Sequence, residues 1–232
     1  MASTPETADA ADAAPAVTAA PPHSKLVWWG VWTAGWIVTR PYRLTATGIE
    51  HVPRTGAMVL ASTHRSNLDT FVVGVPIPFQ KLRPMAKIEL FDNPVLAFVI
   101  GRGGGFPVRR GERDQQALDT AVAILREGGV ISMFPEGTRS AEGGRAHIGA
   151  AQLALMTGAA LVPVAVSGTD QIRFWPPRFP RFRAAYGPPI EVDDLLERYD
   201  VTDASDLRRA ARDATERWKV AIAALRAEVA RG

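Results

Sequence analysis

The sequence predicts one α/β domain, a central mostly parallel or mixed sheet covered by helices, preceded by a short N-terminal interfacial helix. Short β-type runs alternate with helical stretches from residue 43 onward, and strands interleaved with helices form sheets buried on both faces. At 232 residues the chain has room for one such core and little for a second. Before it, residues 26–39 are uncharged and hold four tryptophans.

Taken in order, residues 1–23 are rich in Ala, Pro and Thr, lack aromatics, and carry no basic start or early apolar run. They are expected to be a disordered tail and not a signal peptide. Residues 24–41 are expected to form an amphipathic membrane-interface helix, with Ser24 as N-cap and Pro41 as stop. The apolar stretch is too short to span a bilayer, which takes about 20 residues. On a helix Trp28, Trp32 and Trp36 fall on one stripe with Trp29 beside it, and tryptophan favours the headgroup boundary. A helix packing that stripe against its own domain is the alternative. Lys25 and Arg40 at the flanks favour the interface.

Residues 42–232 form the expected catalytic domain. Strands are predicted at 43–47, 57–62, 106–108, 129–134 and 160–166, and helices near 67–75, 113–127, 148–157 and 204–230. With 47% hydrophobic residues and no cysteine, the chain can bury a core but can have no disulfide, thiolate nucleophile or thiolate metal site. A net charge of +3 from excess arginine suits phosphate-bearing substrates or an anionic membrane surface.

Three segments carry chemistry. The run from Ser62 to Thr70 follows a predicted strand and sets His64 five residues before Asp69. On one continuous helix the two would point about 140° apart. If His64 lies in the loop and Ser66 or Asn67 caps a following helix, Asp69 can turn back to the imidazole. Asp69 would then hold one tautomer, leaving Nε2 to take a proton from a hydroxyl. A Ser/His/Asp triad using Ser62 or Ser66 is the rival, but no GxSxG elbow is present. The run Phe134-Pro135-Glu136-Gly137-Thr138-Arg139 follows another strand. Its Pro and Gly mark a tight turn, and Arg139 offers a planar fork for phosphate. The run Gly103-Gly104-Gly105 leads into Arg109, Arg110 and Arg113, either a phosphate cradle or a flexible basic loop; it has no nucleotide P-loop signature.

In this order and spacing the segments resemble the glycerolipid acyltransferase family that includes the 1-acylglycerol-3-phosphate acyltransferases. The first block is His64 and Asp69, the second Gly104 and Arg110, the third Phe134 to Arg139, the fourth Val162-Pro163-Val164. The segment Lys87-Ile88-Glu89-Leu90-Phe91 also looks like that family's connecting stretch. Two departures stand out. Thr63 replaces a frequent Asn, which is expected to be neutral. Ala146-His147-Ile148-Gly149 replaces a frequent Phe-Lys-x-Gly, which bears on acceptor contacts.

The resemblance implies transfer of a fatty acyl group from acyl-CoA or acyl carrier protein to the free hydroxyl of 1-acylglycerol 3-phosphate, giving phosphatidic acid, with no metal or organic cofactor. His64 and Asp69 would be catalytic. Arg110, Glu136, Gly137, Thr138 and Arg139 would bind the substrate phosphate, with Lys87, Arg109 and Arg113 as further phosphate or donor contacts. Membrane lipids are expected partners and nucleic acid is not, although residues 173–183 interleave arginines with aromatics. The expected place is the cytoplasmic face of the cell membrane, peripheral or monotopic. The alternatives are the same chemistry on another lysolipid or glycolipid, and a non-catalytic lipid-binding protein.

Overall fold

A computed structural model describes residues 23–109, 114–137, 146–173 and 179–231. They form one α/β unit around a seven-stranded sheet. Its strands are β1 (Thr45–Thr47), β2 (Met58–Ser62), β3 (Leu82–Lys87), β4 (Phe106–Val108), β5 (Val130–Met133), β6 (Ala160–Ser167) and β7 (Arg183–Tyr186), in the order β1-β7-β6-β2-β5-β3-β4. Every neighbouring pair is parallel except β6 and β7. Strands β2 to β6 therefore share one direction, and their carboxyl ends share one edge.

The helices are α1 (Lys25–Thr39), α2 (Asp69–Gly74), α3 (Pro94–Arg102), α4 (Gln115–Arg126), α5 (Gly149–Thr157), α6 (Asp193–Arg198) and α7 (Ala204–Arg231). Strand β2 is buried throughout, and its residues alternate between two cores. Val59 and Ala61 pack with Ile124 of α4, Leu153 of α5 and Trp218 of α7. Met58 and Leu60 pack with Val72 of α2 and Phe182. A strand buried on both faces reads as a continuous apolar run, as Met58 to Ala61 does.

Helix α1 starts where Ser24 caps it, its Oγ accepting from Val27 N at 3.4 Å. Gly35 lets α1 lie directly on Phe71 of α2, since a Cβ there would sit 2.5 Å from that ring. This packing corrects the expected tryptophan stripe. Trp28 is 5% exposed, and the Trp32 indole donates to Val75 O at 3.2 Å, so both face the domain. Trp29 and Trp36, at 46% and 42% exposure, remain at the surface. No helix among the described residues is long and apolar enough to cross a membrane. The expected disordered tail falls, apart from His23, outside the described residues, as does 174–178 of the basic and aromatic run.

Two strands and two helices went unread in the sequence. Strand β3 carries Pro84 at its centre, and β7 is four residues of Arg, Ala and Tyr. Helix α3 is apolar all round, but Asn93 caps it by accepting from Val95 and Leu96, with Pro94 in its first turn, a start signal that is legible.

Candidate active site

The site lies at the carboxyl edge of the parallel strands, where α/β sheets bind ligands. His64 leaves β2, the Phe134 to Gly137 turn leaves β5, Lys87 ends β3, Arg109 follows β4 and Thr169 follows β6. Arg109 stands three strands from His64, roughly 14 Å at the usual strand spacing.

His64 sits in the loop, as one sequence reading required, and Asp69 opens α2. The imidazole Nδ1–H donates to Asp69 Oδ2 at 3.0 Å, a direction set by the carboxylate, which can only accept. That oxygen also accepts from the backbone N–H groups of Arg65 at 2.5 Å and Ser66 at 2.7 Å. The turn is held chiefly by Asp69 itself; the cap position is Leu68, which makes no side-chain bond, and the Ser66 hydroxyl accepts from its N–H. His64 is 3% exposed and Asp69 fully buried. With Nδ1 protonated, Nε2 is the basic nitrogen. It is buried and has no hydrogen-bond partner among the described residues.

Neither serine completes a nucleophilic triad. Ser62 Oγ donates to Thr63 O at 3.1 Å, and Ser66 Oγ accepts from Leu68 N at 3.4 Å, so neither hydroxyl engages Nε2. Thr63 has its own task, since its hydroxyl accepts from Val166 N at 3.0 Å and ties the end of β2 to β6.

Sequence reasoning missed Thr169. Its hydroxyl donates to Asp69 Oδ1 at 2.6 Å and comes from 100 residues away. It satisfies the carboxylate oxygen that His64 does not use.

Beyond β5, Phe134 stacks on the His64 ring with centroids 4.0 Å apart and planes 18° apart. Gly137 N donates to Phe134 O at 3.0 Å, closing a tight turn, and Gly137 takes φ +64°, which glycine adopts without strain. Glu136 does not stand as a phosphate contact. Its carboxylate is buried and ion-paired with Arg226 of α7, and an anion so held repels phosphate. Lys87 pairs with Glu89 at 2.9 Å at the surface. Arg109 is exposed, its backbone N–H donating to Asp114 at 2.8 Å; that bond, ahead of others, holds the Asp114 carboxyl below the usual range. Arg110, Arg113, Thr138 and Arg139 lie outside the described residues.

A cavity of 560 Å³ opens beside His64, within the range of small-molecule sites. Trp28 and Val31 of α1, Phe71 of α2, Met85 of β3, Val99 of α3 and Phe134 line it. It follows β3 from Lys87 to Leu82, roughly 16 Å at strand rise, and reaches Gly103 and Gly105 at its far end. The glycine run thus precedes β4, at the end of that strand away from His64, and is no cradle beside the base. There Arg83 is buried, donates to Gly104 O at 3.0 Å, and burial lowers its pKa.

The mostly parallel sheet thus carries at its carboxyl edge a carboxylate-oriented histidine whose second ring nitrogen can take up a proton beside an apolar cavity. The family model described as Acyltransferase matches residues 43–167, more than half of the chain, and this protein belongs to that family. It is 34% identical over 119 residues to a 1-acyl-sn-glycerol-3-phosphate acyltransferase of Bacillus subtilis, covering 51% of this chain and 60% of that one. It is 31% identical over 147 residues to the protein so named from Borreliella burgdorferi, covering 60% and 55%. A chloroplastic relative so named from Arabidopsis thaliana is 30% identical over 139 residues, covering 56% and 38%. The matches therefore span less than two thirds of those relatives' lengths. The crystal structure of the 1-acyl-sn-glycerophosphate (LPA) acyltransferase PlsC from Thermotoga maritima superposes with a TM-score of 0.59 at 22% identity, covering 83% of this chain and 78% of that one. It shares the fold.

Proposed function

We propose that this protein transfers a fatty acyl group from a thioester, acyl-CoA or acyl carrier protein, to the free hydroxyl of 1-acylglycerol 3-phosphate, releasing phosphatidic acid and a free thiol. The observation that carries the reading is the buried, unpartnered His64 Nε2 at the mouth of an apolar cavity, with Nδ1 fixed by Asp69. Nε2 takes the hydroxyl proton as the oxygen attacks the thioester carbonyl, and Asp69 stabilises the imidazolium that forms. The carbon–sulfur bond then breaks and the leaving sulfur takes up the proton. A thiolate leaves readily, so this route needs no acyl-enzyme, metal or organic cofactor.

The acyl chain is assigned to the cavity, whose described lining carries one formal charge, Lys87 at its mouth. The acceptor phosphate is assigned to Arg110, Thr138 and Arg139 on the strength of the family blocks, with Gly137 shaping the turn. The membrane reading rests on only part of the surface the tryptophans suggested. Leu26, Trp29, Ile37 and Val38 of α1 and Val95 and Phe98 of α3 are exposed, and both helices line the cavity. An apolar face at a lipid cavity's wall fits peripheral attachment to a bilayer, with Lys25, Arg40 and Arg102 as its basic rim.

The test is purified protein with acyl-CoA or acyl carrier protein and a panel of lysolipids, scored for thiol release and lipid product. Formation of phosphatidic acid from lysophosphatidate, lost in His64→Ala, is the expected result. Acylation of a different lysolipid would replace the acceptor, and binding to liposomes without any turnover would replace the enzyme reading by that of a lipid-binding protein.

A further inference from the structure

Glu136 and Arg226 come from elements 90 residues apart and meet as an ion pair. The Glu136 side chain is 3% exposed and that of Arg226 26%. The guanidinium donates to Glu136 through one terminal nitrogen, while its Nε is buried and has no hydrogen-bond partner among the described residues. Burying such a pair needs a reason, because ion pairs of this kind contribute little net stability against apolar residues of the same size.

The reason lies in what Glu136 is attached to. It sits in the turn closed by Gly137 N and Phe134 O, and the Pro135 carbonyl accepts from His147 N at 2.8 Å. Two residues before Glu136, Phe134 stacks face to face on the His64 ring. Helix α7 also grips the other strand that leads to the base, since the Trp218 indole donates to Ala61 O at 2.9 Å, three residues before His64. The helix thus holds the catalytic edge at two points, Trp218 on β2 and Arg226 on the turn after β5.

We propose that Arg226 is a positioning residue: through Glu136 it sets the Phe134 turn against the His64 imidazole, so that α7 fixes the plane in which Nε2 faces the acceptor hydroxyl. The inference rests on the acyl-transfer reading for its assay and lies beyond it, because neither residue touches the base. Misplacing reacting groups by an ångström costs up to roughly a hundredfold in rate, and the loss falls on turnover, since of the residues lining the cavity only Phe134 and His64 belong to this contact.

The test is a double-mutant cycle of Arg226→Met and Glu136→Gln, with Arg226→Lys as the conservative variant. Acyl transfer is followed with thermal midpoints alongside, after wild type has been assayed on the lysolipid panel to establish its acceptor. Each single change should lower kcat roughly ten- to a hundredfold while KM for the acyl donor stays near wild type. The double mutant should be no worse than the worse single, since residues acting as a unit are not additive, and Arg226→Lys should recover part of the loss. Losses that multiply in the double mutant would assign Glu136 a direct role on substrate and overturn the proposal. So would a folded Arg226→Met with wild-type kcat and only a lowered thermal midpoint. If wild type acylates a lysolipid other than lysophosphatidate, the proposed acceptor falls, and the cycle, run on that acceptor, still decides the role of Arg226.

Discussion

Replacing Thr169 with valine keeps the size and branching of the side chain and removes its hydroxyl. Asp69 Oδ1 then loses its 2.6 Å donor, while Oδ2 keeps three, from His64 and the Arg65 and Ser66 backbones. The carboxylate is fully buried, so water cannot replace the missing bond without opening the site. A hydrogen bond to a charged group is worth about 1.5–3 kcal/mol. A loss of that size should lower the thermal midpoint by roughly 3–12 °C in a domain of this length. Catalysis falls through the imidazolium, whose counter-ion is then held through one oxygen only; if half of the loss reaches the transition state, turnover drops about three- to tenfold. Steady-state rates beside thermal melts for Thr169→Val and Thr169→Ser provide the assay. Serine keeps the donor and should stay close to wild type in both. A valine variant with wild-type kcat and melting point would mean that Oδ1 needs no donor, and the assignment of Thr169 as the orienting group would be withdrawn.

Substituting Asp69 with asparagine should leave a folded protein and a large loss of turnover, smaller than that of His64→Ala, which removes general-base help of about 10²–10⁴-fold; a His64→Ala enzyme of normal rate would end the mechanism. Arg139→Ala and Arg110→Ala should depress kcat/KM for lysophosphatidate while sparing slow hydrolysis of the acyl thioester, and parallel loss on monoacylglycerol would reject the phosphate assignment. Val31 lies against Gly103 at the cavity's far end, so Val31→Trp should shift donor preference to shorter acyl chains with little effect on the shortest; an unchanged chain-length profile would remove the acyl chain from this cavity. Burial raises the Tyr186 hydroxyl far above its ordinary pKa, so the folded form keeps its proton where the unfolded chain loses it. That contribution is fully present below about pH 10 and declines by about 1.4 kcal/mol per pH unit above it; Tyr186→Phe should flatten this alkaline decline in thermal melts, at the cost of the bond to Val73 O.

The sheet was legible where burial acts on both faces of a strand. Met58 to Ser62, Val130 to Met133 and Ala160 to Ser167 are apolar runs next to turn signals, and each is a strand. Strand β3 was hidden because Pro84 and two basic residues argue locally against a strand. It forms because β5 and β4 pair with it from both sides, a tertiary effect outweighing propensity. Helix α1 shows the converse limit. Periodicity put Trp28, Trp32 and Trp36 on one stripe but could not say which element would cover it, and the close approach at Gly35 against Phe71 turns the first two inward.

The site divides along the same line, between what is near in sequence and what is near in space. His64 and Asp69 were readable because five residues suffice to build the loop that joins them, and the chemistry of a carboxylate-held imidazole follows from the pair alone. Glu136 was misread for the opposite reason. A carboxylate in a Pro-Glu-Gly turn after a strand points to substrate unless a cation is brought to it, and that cation, Arg226, lies on a helix whose sequence reads only as an amphipathic cover. Thr169 is the same case with the sign reversed, an ordinary Gly-Thr-Asp turn after β6 until β6 is paired with β2. The pairing lays the turn beside Asp69 and makes its hydroxyl the fourth donor to the carboxylate. Arg226 and Thr169 both follow residue 167, where the family match ends. Two supports of the base beyond Asp69 and Phe134 are thus supplied by the part of the chain that carries none of the motifs, and a search confined to those motifs would leave these two untested.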